Sequence, residues 1–184
     1  CDSRRQRQMC IRDRDDSLTS DQQKSNLNSK PNFSTYKLDL SRQQFLGNDG
    51  VVLQFNASGQ IASTSLPTPE KFSFGGPDYG RGFANSHIFG DAGWSSSIQL
   101  SKNMYSKNGK TISPFVWLDY GQTDDLTGDS REKSASTYGI GLAGNFNRDT
   151  TYELSIGVPG LDDSNPTKTG LDHSILKFNL GLKF

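Results

Sequence analysis

The residues of this chain that could do chemistry are few and badly matched to catalysis. Among its 184 residues are two histidines, His87 and His173, and two cysteines, Cys1 and Cys10. Neither histidine stands at a spacing from carboxylates that suggests a metal site, and no G-x-S-x-G or Cys-His arrangement occurs. Ser174 follows His173 directly, but neighbours on a strand face opposite sides and cannot form a dyad. No enzymatic activity, metal or cofactor is expected. One cation stands apart. Arg81 lies between glycines in the run LPTPEKFSFGGPDYGRGF, Leu66 to Phe83. Glycines allow tight bends and close approach, and a guanidinium carries five donors that need a carboxylate if buried. The run lacks the Lys-Ser/Thr and the following helix of a P-loop, so nucleotide binding is not indicated. By composition alone it is a flexible surface loop.

The elements that must position such residues are strands. Hydrophobic residues make up 32% of the chain, and 20 basic residues balance 20 acidic ones. That balance argues against a nucleic-acid partner, which would need a clustered basic excess. The longest unbroken apolar run, Phe115 to Leu118, has four residues, far short of the roughly 20 of a membrane-spanning helix. Apolar residues instead recur with period two. Leu176, Phe178, Leu180, Leu182 and Phe184 alternate with Lys177, Asn179, Gly181 and Lys183, and Tyr152, Leu154, Ile156 and Val158 do the same further upstream. Similar runs around Tyr36–Leu40, Val51–Ala57, Trp94–Leu100, Ile112–Gly121 and Tyr138–Phe146 bring the total to seven strands and no helix.

The connections choose among all-β folds. Gly47-Asn48-Asp49-Gly50, Asn108-Gly109 and Asn147-Arg148-Asp149 are tight turns. Residues 63–89, 122–134 and 160–172 are long connections, with Asp124, Asp125, Asp129, Arg131, Glu132 and Lys133 in one and Asp162 and Asp163 in another. Long and short alternate strictly, as in outer-membrane barrels with short periplasmic turns and long outer loops. A soluble sandwich has no reason to do this. Seven strands cannot close a bilayer-spanning barrel, because open edges would leave backbone groups unsatisfied in lipid. The expected fold is the C-terminal part of a larger transmembrane β-barrel over residues 33–184. Residues 1–32 are set apart: CDSRRQRQMCIRDRDD has no period of 2 or 3.6 and reads as adapter or vector sequence fused to the frame, the alternative being a disordered tail.

The run PEKFSFGGPDYGRGF, followed by GDAGWSSSIQL, resembles the barrel domain of two-partner secretion transporters, the haemolysin-activator type within the superfamily of outer-membrane assembly and translocation barrels. Leu66, Pro67, Glu70, Phe72, Gly75 and Gly76 take the places of that family's loop opening. Gly80, Arg81, Gly82 and Phe83 take its x-Arg-Gly-aromatic tetrad, with Gly80 where Val is common. Gly90, Asp91 and Gly93 match its strand start, where Asp91 is expected to shape the strand rather than do chemistry. The resemblance implies a loop folded back into the lumen, with its Arg meeting an Asp in an aromatic-x-Asp-x-Gly strand; Trp117-Leu118-Asp119-Tyr120-Gly121 fits. Strand parity puts Asp119 on the inner face with Phe115 and Trp117 if Val116, Leu118 and Tyr120 face lipid, where a carboxylate would be costly.

The resemblance further implies a sixteen-stranded barrel in the outer membrane of a Gram-negative bacterium, with periplasmic domains upstream. Its partners would be a large exoprotein of the haemolysin or haemagglutinin type, unfolded in transit, and outer-membrane lipid. Phe178, Leu180, Leu182 and Phe184 would be the signal read by the barrel-assembly machinery. A barrel-assembly insertase of the same superfamily and a non-transporting structural or adhesive barrel are the alternatives.

Overall fold

The structure, a computed structural model, describes residues 33–47, 49–107, 109–126, 132–147, 149–163 and 170–182. The first 32 residues, and with them the expected foreign leader, lie outside the described residues, as does Phe184.

The chain forms β1 (Thr35–Leu46), β2 (Val51–Ala62), β3 (Phe72–Phe74), β4 (Ile88–Gly90), β5 (Ala92–Lys102), β6 (Tyr105–Lys107), β7 (Lys110–Asp124), β8 (Lys133–Asn145), β9 (Thr150–Asp162) and β10 (Ile175–Leu182). Two single 3₁₀ turns, Thr68–Glu70 and Leu171–His173, are the helical elements among the described residues. Seven long strands make one sheet in the order β1-β2-β5-β7-β8-β9-β10, each antiparallel to the strand before it. The alternation of apolar and polar residues thus becomes a meander with one greasy face. Leu38, Ile98, Val116, Leu118, Ile140, Leu154, Ile156, Phe178, Leu180 and Leu182 are exposed on it.

Two register shifts break the regularity. Ser101 pairs with Phe115 but Tyr105 pairs with Ile112, an offset of one residue that makes a bulge at Asn103–Met104 before β6 turns through Gly109 into β7. A second lies between Ala135↔Asp162 and Thr137↔Pro159. Proline has no N–H for the ladder, so a bulge is where a strand tolerates it. The extra residue reverses the parity of β9. Ser155 and Gly157 face inward before the bulge; after it Leu161 is exposed and Asp162 is buried. Asp162, expected in a loop, is instead the last residue of β9 and points to the inner face.

Aromatic pairs mark both ends of the greasy band. Trp94 and Tyr120 lie 5.2 Å apart at the long-loop end, and Phe146 and Tyr152 lie 4.4 Å apart at the tight-turn end. Along β8 the two are separated by about ten residues, and a strand of that length tilted about 40° climbs about 25 Å. That matches the apolar band of an outer-membrane barrel between its aromatic girdles.

The second face is covered by the connection from β2 to β5. Residues 63–91 do not extend from the sheet as a free surface loop. They fold back over its inner face, where Leu66, Phe74, Phe83 and Ile88 are almost completely buried. Phe72 to Phe74 pairs with Ile88 to Gly90, so β3 and β4 form a small two-stranded neck. Beyond the neck, residues 75–86 form a tip. Phe74, Phe83, Ile88 and Ala135 are its core, with Tyr79 packed against them. Gly121 on β7 explains how the segment comes so close: a Cβ there would collide with the Phe74 ring.

Candidate functional site

Register builds the receiving surface for Arg81. Ser97 pairs with Asp119 and Gln99 with Trp117 across β5 and β7, so four inward side chains stand as a block. Arg81 descends onto it. Its Nε donates to Asp119 Oδ2 at 3.2 Å and its Nη2 to Oδ1 at 3.0 Å, a side-on bidentate pair. Nη1 donates to Gln99 Oε1 at 2.6 Å and Nη2 to Ser97 Oγ at 3.0 Å. The guanidinium carbon sits 4.3 Å from the centre of the Trp117 ring, in cation–π contact. The pair is shielded, with 12% of the Arg81 side chain and none of the Asp119 side chain exposed.

The main chain joins in. The amides of Gly80 and Arg81 both donate to Asp119 Oδ2, at 3.0 and 3.1 Å. Gly80 has a φ of 74°, a left-handed conformation that a β-branched residue strongly resists. This explains why glycine stands here rather than valine. Lys177 on β10 holds the tip from the other side, donating to the Gly76 carbonyl at 3.1 Å.

The neck has its own charged cluster. Asp91, wholly buried, accepts from the amides of Leu66 at 2.8 Å and Leu126 at 2.9 Å. Lys71 lies 3.3 Å from Asp91 and 2.5 Å from Asp125, and Lys133 is 3.6 Å from the other oxygen of Asp125. Burial alone would raise the Asp91 carboxyl, but the two amides and the Lys71 ammonium hold it below the usual carboxylate range. Burial alone would lower Lys71, yet its hydrogen bond to Asp125 and the charges of Asp125 and Asp91 keep it above its ordinary value. His87 pins the opposite side: its Nε2 lies 2.8 Å from Asp162 Oδ2, and its ring stacks on Phe83 at 4.1 Å.

A family profile described as haemolysin secretion/activation protein ShlB/FhaC/HecB matches residues 14–144. The chain belongs to this family. Nothing among curated proteins matches it. Among solved structures it is similar to CdiB from Escherichia coli, at a TM-score of 0.72 and 21% identity over 83% of this chain and 28% of that one. The likeness places the sheet as a section of a β-barrel wall, and the chain spans less than a third of CdiB's length.

In this ShlB/FhaC/HecB chain the structure brings Gly80, Arg81, Gly82, Phe83, Asp119 and Gly121 together at one seat. Gly75 and Gly76 lie at the neck–tip junction, Gly90 ends β4 of the neck with Asp91 directly after it, and Gly93 lies in β5 of the wall against the Phe72 ring. Phe178, Leu180 and Leu182 stand on the greasy face of β10, remote from the seat. His173 lies in a 3₁₀ turn rather than on a strand.

Sequence reasoning gave no role to Lys71, Asp125, Gln99, Ser97 or the His87–Asp162 pair. For Ser97 and Gln99 a signal existed: strand parity puts both on the inner face beside Asp119. For Lys71 and His87 there was none, because both sit in irregular chain whose path no periodicity reveals.

Proposed function

We propose that the complete protein is an outer-membrane transporter that secretes a large exoprotein of the haemolysin or haemagglutinin kind through its barrel. In this reading residues 33–184 supply the C-terminal strands of a sixteen-stranded barrel, whose other partners are outer-membrane lipid and, during insertion, the barrel-assembly machinery. The segment 63–91 is a plug whose tip sets the resting pore.

The observation that carries the reading is the buried, bidentate Arg81–Asp119 pair, which fastens a long re-entrant segment to the inner wall. A structural or adhesive barrel has no need to fill its interior with a segment held by removable polar contacts. Membership of the haemolysin-activator family supports secretion over the insertase alternative.

Charge reversal tests it. Asp119→Arg in the full-length protein places two cations at one buried seat, and secretion of its exoprotein partner should stop while the barrel still inserts. Normal secretion by Asp119→Arg would refute the role given to the pair.

A further inference from the structure

The Arg81 seat accounts for the tip but leaves the neck unexplained. Lys71 and Asp91 form a buried ion pair at the loop base, outside that seat, with side chains 6% and 0% exposed. They make no contact with Arg81 or Asp119. Their partners are Asp125 and the Leu126 amide, both in the connection after β7. Asp91 also ties Leu66 at the start of the segment to its own position at the end, while Gln60 of β2 donates to the Glu70 carbonyl at 2.9 Å. The neck is thereby closed on itself and fixed to the mouth of the wall.

The junction between neck and tip has a different character. Gly75 and Gly76 have φ values of 116° and 141°, and Ser86 opposite them has a φ of 54°. The Ser86 amide donates to the Gly75 carbonyl at 3.0 Å. A few positions that absorb unusual backbone angles between two anchored bodies are what a hinge requires.

We propose that Lys71, Asp91 and Asp125 form a second latch, independent of Arg81, that keeps the neck on the β7–β8 connection while the tip swings from the wall about Gly75, Gly76 and Ser86. The latch rests on the transport reading above, since only there does the segment have to move. Lys71, Asp91 and Asp125 are positioning residues: they fix where the tip pivots. Two carboxylates around one buried ammonium, with Lys133 as outer counter-charge, leave the cluster without a net unpaired charge, and none of these contacts involves the tip.

Spin-label distances in the full-length protein in lipid test this, with labels at Ser73→Cys and Leu126→Cys for the neck and at Asp78→Cys and Leu126→Cys for the tip, Cys1 and Cys10 being replaced by serine. Arg81→Ala should at least double the width of the tip distribution and leave the neck distribution unchanged. Lys71→Met should broaden the neck distribution, and Lys71→Arg should restore it. Heat-modifiable gel mobility checks that each barrel is folded, and Asp125→Asn substitutes for Lys71→Met if that variant does not insert. A neck that widens with Arg81→Ala, or stays narrow in both Lys71→Met and Asp125→Asn, overturns the latch. Single-channel recordings on the same proteins address the transport reading separately: identical currents from wild type and Arg81→Ala would count against a plug, while the distances still decide the latch.

Discussion

Asp119 accepts from the Arg81 guanidinium and also from the amides of Gly80 and Arg81, so both charge and shape are specified at this carboxylate. From charge alone, exchanging the partners as Arg81→Asp with Asp119→Arg would be expected to restore function. The geometry predicts otherwise. The exchange leaves two buried amides facing a guanidinium that cannot accept, at about 1–3 kcal/mol each, and removes the donors to Ser97 and Gln99. Protease nicking of the 75–86 tip should be as fast in the exchanged protein as in Asp119→Arg; recovery of wild-type protection would show that charge pairing suffices. At the neck, pH dependence follows from two opposite shifts. Asp91 is depressed, so its contribution is complete above the unfolded value of about 3.9 and is lost as pH falls through the folded one. Lys71 is raised, so its contribution is complete below about 10.4 and is lost as pH rises through the folded value. A spin label at Ser73 should therefore stay immobile between about pH 4 and about pH 10 and loosen on either side. Loosening near neutrality would contradict the assignment.

At the scale of elements, the wall is shaped to receive the segment. Gly121 sits under the Phe74 ring, so Gly121→Val overpacks the contact and should cost about 1–3 kcal/mol, read as a lower unfolding midpoint in urea. Combining it with Phe74→Ala removes the clash, and the double variant should be less destabilised than the sum of the two single ones. Simple additivity would mean that the ring does not meet position 121. The bulge at Pro159 acts similarly on a longer segment of chain. It turns Asp162 from the lipid side to the inner face, where it meets His87, so a single inserted residue decides whether β9 contributes an anchor.

For the whole molecule, the sheet is a wall and not a closed body. Among the described residues β1 and β10 each pair on one side only, and an open edge in lipid exposes backbone groups that cost several kcal/mol each. Residues 33–184 produced alone should therefore fail to give a heat-modifiable monomer in lipid, and should give one only when the remaining strands are supplied. A stable, monomeric, detergent-resistant barrel from this piece would show that seven strands can close. The two faces also explain the low hydrophobic share of 32%: one face of each long strand is apolar and exposed, while the other carries polar and small residues or is covered by residues 63–91.

The sequence by itself determined the seven long strands and their two faces as far as the bulge in β9, while the short β3, β4 and β6 lie outside its period-two runs. Alternation has a strict period of two, tight turns bear Asn and Gly, and Val116 and Leu118 beside Asp119 leave only one tolerable orientation in a membrane. The aromatic-x-Asp-x-Gly run and the glycine-flanked Arg81 were legible as motifs through the family resemblance, which short local runs suffice to carry. Tertiary structure alone decided what lies far apart in the chain or breaks the period. Lys71 finds Asp125 across 54 positions and His87 finds Asp162 across 75, and the second contact exists only because a bulge reverses the parity of β9. Periodicity is a property of regular backbone, whereas the path of residues 63–91 is set by burial of Phe74, Phe83 and Ile88 and by charges that must find partners once water is excluded.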